Sequence, residues 1–153
     1  MTTKNQPKAG DKVLSSRQPY ADFILCGTKW AENRTWRTQH RGALWIHARK
    51  LERRERQEWE EKGIDLMTES PFGLRTGAII GRVQLIGCVD ADALWDFHDG
   101  RPAPVLDAYA TFLHRQKAWD DVAGPWCFLL DQPEPCEPVP CAGWLNIWTF
   151  GRA

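Results

Sequence analysis

The chain has 153 residues, 42% hydrophobic and 26% charged, with 20 Lys+Arg against 20 Asp+Glu. That length supports one ordinary core without disulfide or metal staples, and zero formal net charge excludes a chain-wide basic field for nucleic acid. No run approaches the roughly 20 apolar residues of a membrane helix, and five scattered Cys with no apolar signal segment lead us to expect a soluble cytoplasmic protein with reduced thiols.

Residues 1–10 are expected to form a disordered leader, and 11–153 a single domain. DKVLSS (11–16) reads as a first strand. A helix over 18–26 follows, because Tyr20, Phe23, Ile24 and Cys26 share a face, Pro19 suits a first turn and Gly27 suits the end. Trp30–Trp36 and Ala43–Ala48 read as strands around the turn TQHRG. LERRERQEWEEK (51–62) has charges at i, i+4 spacing and only Leu51 and Trp59 as an apolar side, so an exposed helix is expected.

GAIIGRVQLIGCVD (77–90) is the strongest strand signal, with Ile79, Val83, Leu85 and Val89 on one face and a bulge or bend expected at Gly81 or Gly87. Leu106, Tyr109, Ala110 and Leu113 predict a helix within 104–119. WCFLLD (126–131) and WLNIWTF (144–150) read as strands joined by a Pro-rich connection. Short strands, one long strand and inserted helices predict an α+β fold built on a small, partly closed mixed β-barrel with flanking helices. Cys26, Cys88 and Cys127 lie in apolar runs and are expected to be buried. Cys136 and Cys141 have no nearby His, which argues against zinc.

Charge is unevenly distributed. Lys29–Arg56 holds nine basic residues against three acidic, whereas Asp90–Pro140 holds three basic against ten acidic. One basic face is therefore expected, which suits an anionic ligand. Within it, Gly27 to His47 mixes Lys29, Glu32, Asn33 and Arg34 with Trp30, Trp36 and Trp45, a composition suited to a pocket wall.

Glu32 and Arg34 are two apart and share a strand face, with Lys29 near the strand mouth. Lys beside a carboxylate is an acid/base pair if burial lowers the Lys pKa; it is otherwise a structural ion network, the commoner use of such a trio. His47 lies in an apolar strand, where a hydrogen-bonded core His is the commoner outcome. Asp96, His98 and Asp99 in the loop DFHDG are taken as solvated, and no metal or cofactor is expected. Arg37, Arg41 and Arg49 flank the pocket wall and are the phosphate candidates; the other basic residues of 50–56 alternate with glutamates. No Gly-rich phosphate loop or nucleophile elbow is present.

The stretch LSSRQPYADFILCGTKWAENRTWRTQHRGALWIHARK, with its S-x-R-Q-P-aromatic start, G-x-K-x-x-E-N-R, R-G turn and I-H-A strand, resembles the opening of an activating signal cointegrator homology (ASCH) domain. GAIIGRVQLIGCV and the segment from Gly124 onward fit its later strands, so the resemblance covers most of 12–150. It implies a PUA-like β-barrel, a superfold associated with RNA and modified bases, with a cleft lined by Gln18, Lys29, Glu32, Arg34 and His47. Relatives include N4-acylcytidine amidohydrolases and a ribonuclease. The amidohydrolase motif reads G-x-K-x-x-T; here Gly27 and Lys29 match and Glu32 replaces the Thr, and a carboxylate cannot serve as that nucleophile.

The leading expectation is an RNA-directed nucleic-acid or nucleotide-binding module, its partner an RNA or a modified nucleoside. Tyr20 or Trp36 would stack a base, Glu32 or Asn33 would read its edge, and Lys or Arg would hold phosphate. The alternatives are a hydrolase with Lys29 and Glu32 as acid/base pair, and a coregulator-like protein-interaction domain.

Overall fold

The computed structural model describes residues 5–70 and 72–151. Of the expected leader, residues 1–4 lie outside the described residues; beyond them, Asp11 N bonds the Lys8 carbonyl and Gly10 N the Phe150 carbonyl.

In chain order the elements are β1 (Lys12–Arg17), α1 (Tyr20–Leu25), β2 (Ala31–Arg34), β3 (Gly42–Arg49), α2 (Arg53–Glu61), α3 (Leu66–Glu69) and β4 (Ala78–Asp90). Then come α4 (Ala91–His98), a 3₁₀ helix (Pro104–Tyr109), α5 (Ala110–His114), β5 (Trp126–Pro140) and β6 (Ile147–Thr149). The six strands form one sheet in the order β2-β5-β4-β3-β1-β6. It is mixed, since β1 runs parallel to β3 while β6 and β2 run antiparallel to β1 and β5. The expected α+β class is what the chain adopts.

The chain divides into two compact units. The first comprises the described residues of Met1–Thr28, Ala43–Val83 and Gln132–Ala153. One of its core clusters gathers Val13, Trp45, Ile79 and Cys136, with Trp148 and Phe150 packed against them. A smaller cluster of Leu51, Leu66 and Leu74 takes Trp59, the apolar residue of α2. As expected, α2 lies on the surface, with no buried residue of its own. Its first turn is closed by Glu55, whose Oε1 accepts the Glu52 N–H.

The second unit comprises Lys29–Gly42 and Gln84–Asp131. Here the indoles of Trp30 and Trp119 meet edge-on at 4.8 Å, packed with Phe112, Leu94 and Leu129. Their N–H groups are satisfied locally, Trp30 by the Ala118 carbonyl and Trp119 by that of Gln116. Most of the unusual Trp content of this unit is thus core with a polar handle.

The glycines of β4 have a packing role. The strand runs unbroken from Ala78 to Asp90. A Cβ at Gly81 would sit 2.6 Å from Leu25 and from the Glu134 carbonyl, and one at Gly87 would sit 2.8 Å from the Tyr109 ring. Both positions are held to glycine by neighbours that leave no room for a Cβ.

Several expectations are corrected. The loop DFHDG is largely helix, because Asp90 caps α4 by accepting from Asp92 N and Ala93 N, and His98 is its last residue. The helix of 104–119 is a 3₁₀ segment followed by the short α5, because Pro104 starts a tight turn and Arg115 ends the run. The Pro-rich connection is the far half of β5. The last strand shrinks to Ile147–Thr149, and Trp144 and Leu145 are exposed before it. Cys26 is exposed, because α1 buries Ala21, Ile24 and Leu25 instead, and Cys88 is half-buried on the even-numbered face of β4.

Candidate functional site

In the second unit the Lys29–Glu32–Arg34 trio is an ion network. Glu32 lies on the strand face shared with Arg34, and its Oε2 accepts from Arg34 Nη2 at 3.0 Å. Lys29 Nζ is 3.8 Å from Glu32 Oε1 and donates to the Ala31 carbonyl at 2.8 Å. The side chains of Lys29 and Glu32 are only 3% and 8% exposed, against 23% for Arg34. One carboxylate between two cations leaves the trio net positive, with Arg34 as its solvent-facing end.

Around that end, cations alternate with indoles. The Arg34 guanidinium lies 6.0 Å from the Trp36 ring, and that of Arg37 lies 4.5 Å from Trp126. The β2–β5 register explains the grouping, since Arg34 is paired with Trp126 and Glu32 with Phe128. Trp36 in turn packs edge-on against Phe128 at 5.1 Å. Both indoles of the patch are half-buried and Arg37 is exposed. Trp126 had been read from sequence only as the start of a strand; its pairing with Arg34 is visible only once the register is known.

Asn33 projects from the opposite strand face and acts as a clamp. Its Nδ2 donates to the Asp121 carbonyl at 2.5 Å, and its Oδ1 accepts from Ala123 N at 3.0 Å and Gly124 N at 2.9 Å. The Cys127 thiol donates to the same oxygen at 3.3 Å. Burial pushes the Cys127 pKa up to about 11, so it stays protonated. Arg41 Nη1 donates to the carbonyls of Thr38 and His40, bracing the turn before β3.

The remaining expected site residues belong to the first unit. Gln18 is fully buried, and its Nε2 donates to Asp22 Oδ1 at 2.8 Å and to the Arg75 carbonyl at 2.7 Å. The Tyr20 ring has the Arg17 guanidinium 5.3 Å from its centre and meets Trp59 edge-on. Arg49 lies 3.8 Å from Glu55, which Arg17 also holds at 2.8 Å.

His47 is a satisfied core residue. The Cys141 carbonyl only accepts, so His47 Nε2 carries the proton and donates to it at 2.9 Å. Nδ1 is then the acceptor for the Ser15 hydroxyl at 3.3 Å, and Ser15 Oγ accepts from Trp148 Nε1 at 3.1 Å. Burial lowers the His47 pKa from its ordinary value, which keeps the ring neutral. In the second unit, Asp96 and Asp99 are engaged by Arg101, and Asp99 also by His98.

An ASCH domain profile matches residues 14–122. The chain belongs to the ASCH domain family. Over 87 residues it is 37% identical to activating signal cointegrator 1 of Homo sapiens, and over 88 residues 38% identical to that of Mus musculus. Each alignment covers 52% of this chain and 15% of the relative, so this ASCH domain corresponds to a small part of those proteins. The crystal structure of ASCH from Zymomonas mobilis is 20% identical, with a TM-score of 0.45 over 86% of this chain and 73% of that one. A tyrosine-to-phenylalanine variant of the same protein gives the same identity and TM-score. The family assignment brings with it the PUA-like fold that the sequence resemblance implied. Among the described residues, no helix is long and apolar enough to cross a membrane.

Proposed function

We propose that this ASCH domain is an RNA-directed nucleotide-binding module, using the face of β2 that carries Glu32 and Arg34 together with Trp36, Arg37 and Trp126. The observation that carries the reading is the alternation of two guanidiniums with two half-buried indoles at one end of the strand order. An indole face stacks any base, at ~1–3 kcal/mol each, and a guanidinium beside it meets the phosphate. The buried Glu32 carboxylate fixes Arg34 from behind, so the patch is held in shape before a ligand arrives. Arg41 adds positive charge on the same segment.

Short single-stranded RNA and free nucleosides are titrated against the chain, following Trp emission at several salt concentrations. Quenching that saturates at micromolar RNA and weakens with salt is expected. Arg37→Ala should lower the salt slope by about one unit. No salt-dependent binding to RNA would sink the RNA version of the reading.

A hydrolase is the second reading, favoured by the 3.8 Å approach of Lys29 Nζ to Glu32 Oε1 in a buried setting. Water would be activated by the carboxylate and the leaving group protonated by the ammonium. Turnover of RNA or acylated cytidines that vanishes in folded Lys29→Ala and Glu32→Gln supports it; turnover that persists in both rejects it. Binding of neither RNA nor nucleoside would return attention to the protein-interaction reading.

A further inference from the structure

In the first unit, Arg75 holds a positive charge that the fold does not use. Its Nη1 donates to the Cys136 carbonyl at 3.3 Å. Its Nε and Nη2 are buried, and among the described residues neither has a hydrogen-bond partner. No ion pair reaches Arg75 among them either. Buried polar atoms are almost always satisfied, and a guanidinium cannot shed its proton to escape the difficulty. The two orphaned N–H groups lie on one edge of the planar cation and point the same way. That edge is the one that takes two oxygens of a single oxyanion.

The neighbouring carboxylate is withheld from it. Asp22 is fully buried, and its oxygens accept from Gln18 Nε2, the Ser70 hydroxyl and Leu74 N. Gln18 Nε2 bridges Asp22 Oδ1 and the Arg75 carbonyl, which ties the two residues together without pairing their charges. The segment carrying Arg75 is also held in unusual backbone geometry. Leu74, a branched residue, sits in the left-handed region at φ 57, between Gly73 and Gly77, which are also left-handed. Such strain gathers at ligand clamps. The Phe72 ring covers the cation, 5.5 Å from the guanidinium carbon.

We propose that Arg75 is the anchor of a second ligand site, binding a two-oxygen oxyanion, a carboxylate or a phosphate group, through its Nε/Nη2 edge. The ligand reaches that edge as the Phe72 ring swings aside, and it supplies the two acceptors and the negative charge that the fold leaves out. Gln18 and Asp22 act as positioning residues that hold the Arg75 backbone in place.

The experiment uses the full chain labelled with ¹⁵N at arginine, in which the Nε–H resonance missing from Arg75→Lys identifies Arg75. Acetate, inorganic phosphate and adenosine 5′-monophosphate are titrated separately at constant ionic strength. The Arg75 resonance is expected to shift saturably with at least one of them, and the thermal midpoint of the chain to rise with the same ligand. Arg75→Lys keeps the charge and loses the fork, so its affinity should fall about tenfold or more. A response to acetate alone assigns a carboxylate ligand; a response to both phosphates assigns a phosphate group; a response to the nucleotide alone assigns a phosphate ester. A resonance that stays in place with all three, or equal affinity in Arg75→Lys, overturns the proposal.

Discussion

Replacing Glu32 by Gln tests whether the ion network holds the β2 region together. The substitution keeps shape and removes one charge from between two cations. Arg34, 23% exposed, can turn to water. Lys29, with a side chain 3% exposed, loses its carboxylate neighbour and keeps its bond to the Ala31 carbonyl. Removing one partner of a buried pair costs about 3–5 kcal/mol. The 3.8 Å separation is longer than a hydrogen bond and the carbonyl contact survives, which places this case at the lower end, about 3 kcal/mol. For a chain of this size each kcal/mol moves the melting point by about 2–4 °C, so a fall of about 6–12 °C is expected. Thermal unfolding by circular dichroism at neutral pH measures it, with Lys29→Met as the second variant. Adding Lys29→Met to Glu32→Gln removes the buried ammonium that has lost its carboxylate and should recover most of the loss. A Glu32→Gln chain within about 0.5 kcal/mol of the parent, or a double variant no better than the single one, would show that the network does not hold Lys29 in place.

Three further outcomes are expected. Asn33→Ala strands the Ala123 and Gly124 N–H groups and the Asp121 carbonyl, and should cost about 2–4 kcal/mol in a urea titration, whereas a change confined to ligand affinity would contradict the clamp. His47 has a folded pKa below its ordinary 6.5, so the unfolded chain takes up the proton first; stability is full above 6.5, falls as pH drops toward the folded value, then levels off. His47→Gln should flatten that acid slope, and an unchanged slope would mean another group sets it. Gly81→Ala drives a Cβ to 2.6 Å from the Glu134 carbonyl, a backbone atom with little freedom to yield, and should cost about 1–3 kcal/mol by thermal unfolding.

The elements that could be read from the sequence were those with an unmistakable period. The odd-numbered positions of β4 are buried as its alternation implied, and the charged repeat of α2 lies on the surface. The Glu32–Arg34 pairing followed from two-residue spacing alone. β5 was truncated in the reading because its far half holds Pro133, Pro135, Pro138 and Pro140, which normally end a strand. Backbone pairing with β2 reaches Leu130, whose N–H bonds the Trp30 carbonyl, so those prolines fall where β5 has shed that neighbour and their missing N–H groups cost less. The α4 helix was hidden because its cap, Asp90, sits on the last residue of β4, with no loop to announce it. Trp126 and Arg75 went unnoticed because their interest lies in partners more than 50 positions away, found or wanting, which no local pattern records.

The shortness and charge of β2 also bear on how the chain behaves at high concentration. A terminal strand of a sheet offers unpaired backbone to any similar strand, the usual start of edge-to-edge polymerisation. With only four residues, two of them Glu32 and Arg34, β2 offers such a template little length and an ion pair to desolvate. The residues proposed to meet a ligand therefore also guard solubility. Apolar replacements such as Arg34→Val would confuse lost affinity with lost monomer, so polar replacements of matched size are the ones to use when that surface is probed.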